Sequence, residues 1–436
     1  MGGDWATAGV MLTTAGDRIT EVVTGVPCPP DALRLTGLTL PGMANAHSHA
    51  FHRALRGRTQ GGTGSFWTWR EQMYTAALRL DPDSYFRLAR AVYGEMAMAG
   101  ITCVGEFHYL HHGPGGAPYA DANAMGAALV AAANEAGIRI TLLDTCYLHG
   151  GIGVLPNETQ QRFSDRDALS WAARASATSS LESAGAKIGA AIHSVRAVDP
   201  ASIEVVAAWA AAQNAPLHAH VSEQKAENQQ CIDAYGLTPT ALLAERGALG
   251  QRFTAVHGTH LAGSDIGLYG IHNCTICMCP TTERDLADGI GPALALRDAG
   301  ARLSLGTDSH AVIDIFEEAR AVELDQRLAS QIRGSHDAPS LMRAATAQGH
   351  DSLGWADAGR IEVGMLADLV SVRMDSVRTA GSSPATAVES AVFAASAADV
   401  HHVVVGGVVI VSDGRHQRMD VASDLVSSIL DVMGER

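Results

Sequence analysis

Eight short apolar runs, each closing on polar or ionisable residues and each followed by a helix-like stretch, constrain this chain more than any other feature. In order they are LTLPGMANAHSH, ITCVGEFHY, IRITLLDTCY, KIGAAIHS, APLHAHVSE, FTAVHGTH, CTICMCPTTE and ARLSLGTDSH. Ala- and Leu-rich segments lie between them, opened by helix-start pairs such as Asp81-Pro82, Asp199-Pro200 and Thr238-Pro239. Strands alternating with helices predict a parallel sheet, and eight such units predict a closed (β/α)8 barrel. An open doubly wound sheet is the alternative, but it gives no reason for catalytic-type residues at the end of nearly every strand. The predicted class is therefore α/β, a TIM-type barrel spanning residues 39–357. Strand-like pieces also occur near both termini: DRITEVV before the barrel, ADLVSVRM and HHVVVGGVVIVSDGRH after it. They predict a small β domain assembled from residues 1–38 and 358–436.

Composition narrows the function classes. A net charge of −15 disfavours a nucleic-acid partner, which demands a basic face. There is no apolar run of transmembrane length and no signal-like N-terminus, so a membrane role is not expected and the cytoplasm is the expected compartment. The seven cysteines then read as reduced thiols, with Cys274, Cys277 and Cys279 buried in an apolar strand rather than spaced as a zinc knuckle. The long connection after the first run, RGRTQGGTGSFWTWREQMY, has the length of a lid or binding loop and lacks a dinucleotide-type glycine pattern.

His47 and His49 stand two apart at the end of the first run, so an extended strand turns both rings to the same face. His220, His257 and Asp308 close the fifth, sixth and eighth runs. In a barrel those ends converge on one cavity, where imidazoles and a carboxylate suit a divalent ion such as Zn²⁺ with room for a water. Fe²⁺ and Mn²⁺ accept the same donors. His108, His111 and His112 offer a second histidine-rich stretch, read as a polar loop.

The strand-end motifs PGMANAHSHAFHR, APLHAHVSE, AVHGTH and LSLGTDSH resemble those of the amidohydrolase superfamily, as does the returning tail GRIEVGMLADLVSVRMD. Within it, HSHAFHR, SFWTWRE, GEFHYLHH, LLDTCYL, AIHSVRAV, HVSEQ, CPTTERDLADG and GTDSH, in that order, resemble the formimidoylglutamate deiminases. The resemblance implies hydrolytic deamination of N-formimino-L-glutamate, a small molecule with two carboxylates, during histidine degradation. It implies a metal held by His47, His49, His220 and Asp308, with Asp308 also accepting a proton, Glu223 carrying one to the leaving nitrogen, and His257 steadying the reacting oxygen. One metal is expected: two-metal members use a lysine at the end of strand four, where this chain has His193, and Lys187 stands at that strand's beginning. His52, Arg70, Tyr109, His193 and Arg196 are expected to line the substrate pocket, Arg196 as a bidentate carboxylate partner. The family commonly has Gln at the position of His52, which is expected at the cavity rim, where a protonated imidazole would add a charge-assisted bond and a neutral one would donate a single bond as the Gln amide does. A homodimer is the family expectation. The rival reading is another single-metal deaminase of this fold, acting on an aromatic base or a triazine.

Overall fold

The computed structural model describes residues 6–61, 64 and 66–435. Residues 1–5 of the expected terminal domain, Gly62, Thr63 and Ser65 of the long connection, and Arg436 lie outside the described residues. Eight parallel strands follow one another in chain order: Met43–Ser48, Ile101–His108, Arg139–Cys146, Ala186–Ile192, Leu217–Val221, Phe253–His257, Thr275–Met278 and Arg302–Leu305. The first and last meet through a parallel bridge between Ser48 and Asp308, which closes the barrel at its C-terminal end. Two backbone bonds make that seam: Asp308 N–H donates to the His47 carbonyl at 3.0 Å, and His49 N–H to the Asp308 carbonyl at 3.4 Å. Asn45 reinforces it from below, donating to Thr307 Oγ1 at 2.7 Å and accepting from Thr307 N–H at 2.9 Å.

The outer helices begin where the sequence places their caps. Asp81 accepts from Ser84 N–H ahead of helix Pro82–Met98, Asp199 from Ser202 N–H ahead of Pro200–Ala212, and Thr238 from Ala241 N–H ahead of Pro239–Glu245. In each case proline occupies the first turn, where its missing N–H leaves no bond unmade. The long first connection is not an irregular loop. It carries a 3-10 turn, Ala50–Leu55, and a helix, Phe66–Leu78, whose Phe66, Trp67, Trp69, Arg70, Met73 and Tyr74 cover the barrel mouth.

The first apolar run divides into two strands. Leu38–Pro41 pairs antiparallel with Leu369–Val372, and only Met43–Ser48 enters the barrel. Gly42 makes the break: its N–H donates to the Asp368 carbonyl at 2.8 Å. A Cβ there would lie 2.2 Å from Thr102 Oγ1, too close for any other residue. The small sheet continues through Val400–Val405, Val408–Ser412 and Arg415–His416, all antiparallel, beside a separate hairpin of Val10–Ala15 and Arg18–Thr24.

Arg139, at the start of the third barrel strand, ties barrel to sheet. Its Nε and Nη2 donate to the two Asp368 oxygens at 2.7 and 3.1 Å, and Asp368 also accepts from Gly406 N–H at 2.7 Å. Both side chains are buried. Removing one member of such a pair strands the other charge and typically costs about 3–5 kcal/mol, whereas removing both is milder. Arg139→Met is therefore expected to lower the thermal midpoint by several degrees, and Arg139→Met/Asp368→Leu by less, as read by differential scanning fluorimetry.

Candidate metal centre and active site

Three strand ends deliver four donors to one point. His47 Nε2 lies 3.1 Å from His220 Nε2 and 3.3 Å from Asp308 Oδ1, and His49 Nε2 lies 3.5 Å from the same oxygen. The other nitrogens decide what these atoms are. His49 Nδ1 faces the Phe107 carbonyl at 3.0 Å, and His220 Nδ1 faces the His193 carbonyl at 3.0 Å. A carbonyl only accepts, so each ring spends its proton there and presents a bare lone pair at Nε2. Burial reinforces the neutral state: it lowers His47, takes His49 down to about 3 and drives His220 well below the ordinary imidazole range. Burial pushes Asp308 the other way, but the bond from His47 and the positive charge of His257 outweigh it and keep the carboxylate ionised. Lone pairs and an anion converging at such distances repel one another unless a cation lies among them. The donor set fits a divalent metal ion.

Strain concentrates at the same place. Ser222, His257, Asp308 and His310 all have positive φ, between 40° and 71°, a conformation uncommon outside glycine. His257 stands between two carboxylates, Nε2 at 3.9 Å from Glu223 Oε1 and Nδ1 at 3.5 Å from Glu283 Oε1. Burial opposes its protonation, yet Glu223, the bond to Glu283 and Asp308 raise it to about 10. Glu223, also buried, is raised by desolvation against the pull of His257 and Arg196.

A cavity of about 610 Å³ opens onto this cluster. All the sequence-derived site residues line it except His47, which lies beneath, fully buried. Arg70, whose place the long connection left open, is inside, its guanidinium 4.6 Å from the Trp67 ring centre. Tyr109 and His193 pack edge-on, 5.5 Å between ring centres. Arg196 lies beside Glu223, 3.5 Å between Nη2 and Oε2. His52, whose charge the sequence leaves open, lies deeper than the rim position expected of it. It is 3% exposed, packs against His49 at 4.5 Å, and meets the Tyr109 hydroxyl through Nε2 at 3.1 Å. Burial, with His49 beside it, holds its pKa well below the usual value, so the ring is neutral.

The other histidine-rich stretch is structural. His111 Nε2 donates to the Thr145 carbonyl, His112 Nε2 bonds Asp165, and among the described residues no metal-capable group includes either. Lys187 reaches the Gly354 carbonyl and the Trp355 ring at the opposite end of the barrel. Cys274, Cys277 and Cys279 are buried and free.

Residues 38–410 match the model of the amidohydrolase family. The chain belongs to the amidohydrolase family. It is 37% identical over 396 residues to a formimidoylglutamate deiminase from Pseudomonas aeruginosa, covering 88% of this chain and 87% of that one. An 8-oxoguanine deaminase from the same organism is 29% identical over 405 residues, covering 91% and 87%. Among solved structures, an amidohydrolase from Brucella melitensis superposes with a TM-score of 0.90 at 33% identity, covering 97% of this chain and 96% of that one. As a family member the chain is a hydrolase acting on C–N bonds. Glu227, Glu283 and Phe107, which stacks on His220 at 4.3 Å, join the site without having been singled out from sequence.

If the convergent donors are the metal ligands, His220→Ala and Asp308→Ala should each lose the divalent ion that the parent protein retains through dialysis. Elemental analysis checks this. Full retention by both variants would place the ion elsewhere.

Proposed function

We propose that this amidohydrolase deaminates N-formimino-L-glutamate to N-formyl-L-glutamate and ammonia, as a step of histidine degradation. One observation carries the choice of substrate: the Arg196 guanidinium lines the same cavity as the His/Asp cluster, with no hydrogen bond to its Nε. A cation with an unspent donor beside a hydrolytic centre suits a carboxylate attached to the reacting group. Arg70, Tyr109, His193 and neutral His52 supply further polar contacts. His52 donates as an amide would, which accommodates the exchange of Gln for His. The identity to the Pseudomonas aeruginosa deiminase supports the same reading.

His47, His49, His220 and Asp308 would hold one divalent ion, zinc by donor preference, which supplies Lewis acidity and lowers the pKa of a coordinated water toward ~7. The chain's own groups do the rest. Asp308 takes the proton from the attacking water, whose oxygen adds to the formimino carbon. His257, held protonated between Glu223 and Glu283, stabilises negative charge on that oxygen. Glu223, kept protonatable by burial, delivers a proton to the departing nitrogen. The C–N bond to the terminal nitrogen breaks as the hydroxyl of the adduct gives up its proton; with the proton first taken from water, this converts the =NH nitrogen to ammonia, which leaves, and a formyl C=O remains. The helix Phe66–Leu78 limits water at the mouth. The family resemblance carries a cytoplasmic homodimer with the same reading.

A second reading has an observation of its own. Phe66, Trp67, Trp69, Tyr74, Tyr109 and Tyr147 give the cavity aromatic walls, which suit a planar base. A neutral heterocycle, however, brings no carboxylate to the unspent donor of Arg196 or to Arg70.

Incubation with formiminoglutamate should release ammonia and N-formylglutamate, identified by mass, while 8-oxoguanine and adenosine derivatives should not react; the reverse result selects the second reading. Glu223→Gln should retain one equivalent of metal and lose at least ~10²-fold in kcat. Arg196→Met should lower kcat/KM by roughly 30- to several-thousand-fold, the size expected for a desolvated charge pair. A comparable loss on a formimino compound lacking carboxylates would make Arg196 structural.

A further inference from the structure

Arg196 stands between two carboxylates and is firmly bonded to neither. Its Nη2 lies 3.5 Å from Glu223 Oε2 and its Nε 3.7 Å from Glu227 Oε2, both beyond the ~2.7–2.9 Å of a charge-assisted bond. Glu227 sits in the first turn of helix Lys225–Tyr235 and is 1% exposed; the Ser222 backbone N–H faces its carboxylate, and no side-chain donor bonds either of its oxygens. A buried carboxylate so loosely partnered destabilises a fold, so packing does not account for it. Its placement does. With nothing opposite, a guanidinium 3.5 Å from Glu223 in a desolvated pocket would close onto it. That would spend the substrate anchor and the proton carrier on each other.

We propose that Glu227 is a positioning residue that holds Arg196 away from Glu223, keeping the guanidinium available to the substrate carboxylate and Glu223 free to move its proton. The inference rests on the roles given to Arg196 and Glu223 above.

The tether depends on charge. Burial raises the Glu227 carboxyl to about 7; Arg196 opposes that rise and Glu223 adds to it. Its surroundings are Arg196 from the loop after the fourth barrel strand, Glu223 after the fifth, and His257 at the end of the sixth. Cys231 on its own helix and Tyr269 on helix Gly263–Ile271 complete them. Above that pKa Glu227 is anionic and pulls on Arg196, and below it the pull is lost. Glu227→Gln imitates the neutral form at every pH.

Two measurements test this. In a crystal structure of Glu227→Gln without substrate, Arg196 and Glu223 should have closed to ~2.8 Å; an unchanged separation overturns the proposal. In kinetics, Glu227→Gln should lower kcat/KM by roughly 10- to 100-fold and kcat with it, the scale of coupling between groups in contact. Glu227→Asp should recover part of the loss. The ratio of wild type to Glu227→Gln should approach one as pH falls below about 7 and widen above it. In an Arg196→Met background the Glu227 change should do nothing further, and additive losses overturn the proposal. If the wild type releases no ammonia from formiminoglutamate, the substrate assignment fails and the crystallographic distance alone decides the role of Glu227.

Discussion

The closure of the barrel and the assembly of its reactive centre are one event. The seam between the first and last strands runs through the backbones of His47, His49 and Asp308, whose side chains are three of the converging donors. Opening that seam would separate the histidine pair from the carboxylate by the same motion that breaks the sheet. The asparagine below and the buried glutamate beside it add to this. Glu106 accepts from Ser48 Oγ and from Ala50 N–H, both at 2.7 Å, and so pins the turn after the histidine pair to the second strand. Geometry at the centre is therefore as stiff as the barrel.

That stiffness explains where strain is tolerated. Positive φ at His257 and Asp308 disfavours the isolated residues, yet the surrounding ladder over-determines them. The same ladder sets protonation. Backbone carbonyls of Phe107 and His193, fixed by their own strands, choose the tautomers of His49 and His220. The sheet thus supplies the outer shell of the centre without spending side chains on it.

The barrel was legible because each strand is an apolar run bounded by polar residues, and the donors because they stand at strand ends. What escaped depends on contacts distant in sequence. The break at Gly42 lies inside a continuous apolar run, and only the Asp368 carbonyl and Thr102 show why the chain changes sheets there. His52 reads as a rim residue until Trp69, from the helix over the mouth, is seen packed against it at 4.9 Å. Arg70 could not be placed until that helix was. Glu227, in the polar stretch KAENQQ, looks like any solvated first-turn acid, and its burial comes from the neighbouring barrel units. Periodicity reports which face of an element is buried. It does not report which polar side chain another element will cover.

The small sheet has a consequence for synthesis. Leu38–Pro41 emerges early, and its neighbour Leu369–Val372 follows more than three hundred residues later. At ribosomal rates of ~5–20 residues per second, the first strand waits on the order of tens of seconds for the second. Throughout that interval an apolar edge stands unpaired on a nascent chain, open to intermolecular pairing. Its proline at position 41, which has no N–H to offer, makes that edge a poorer template while it waits.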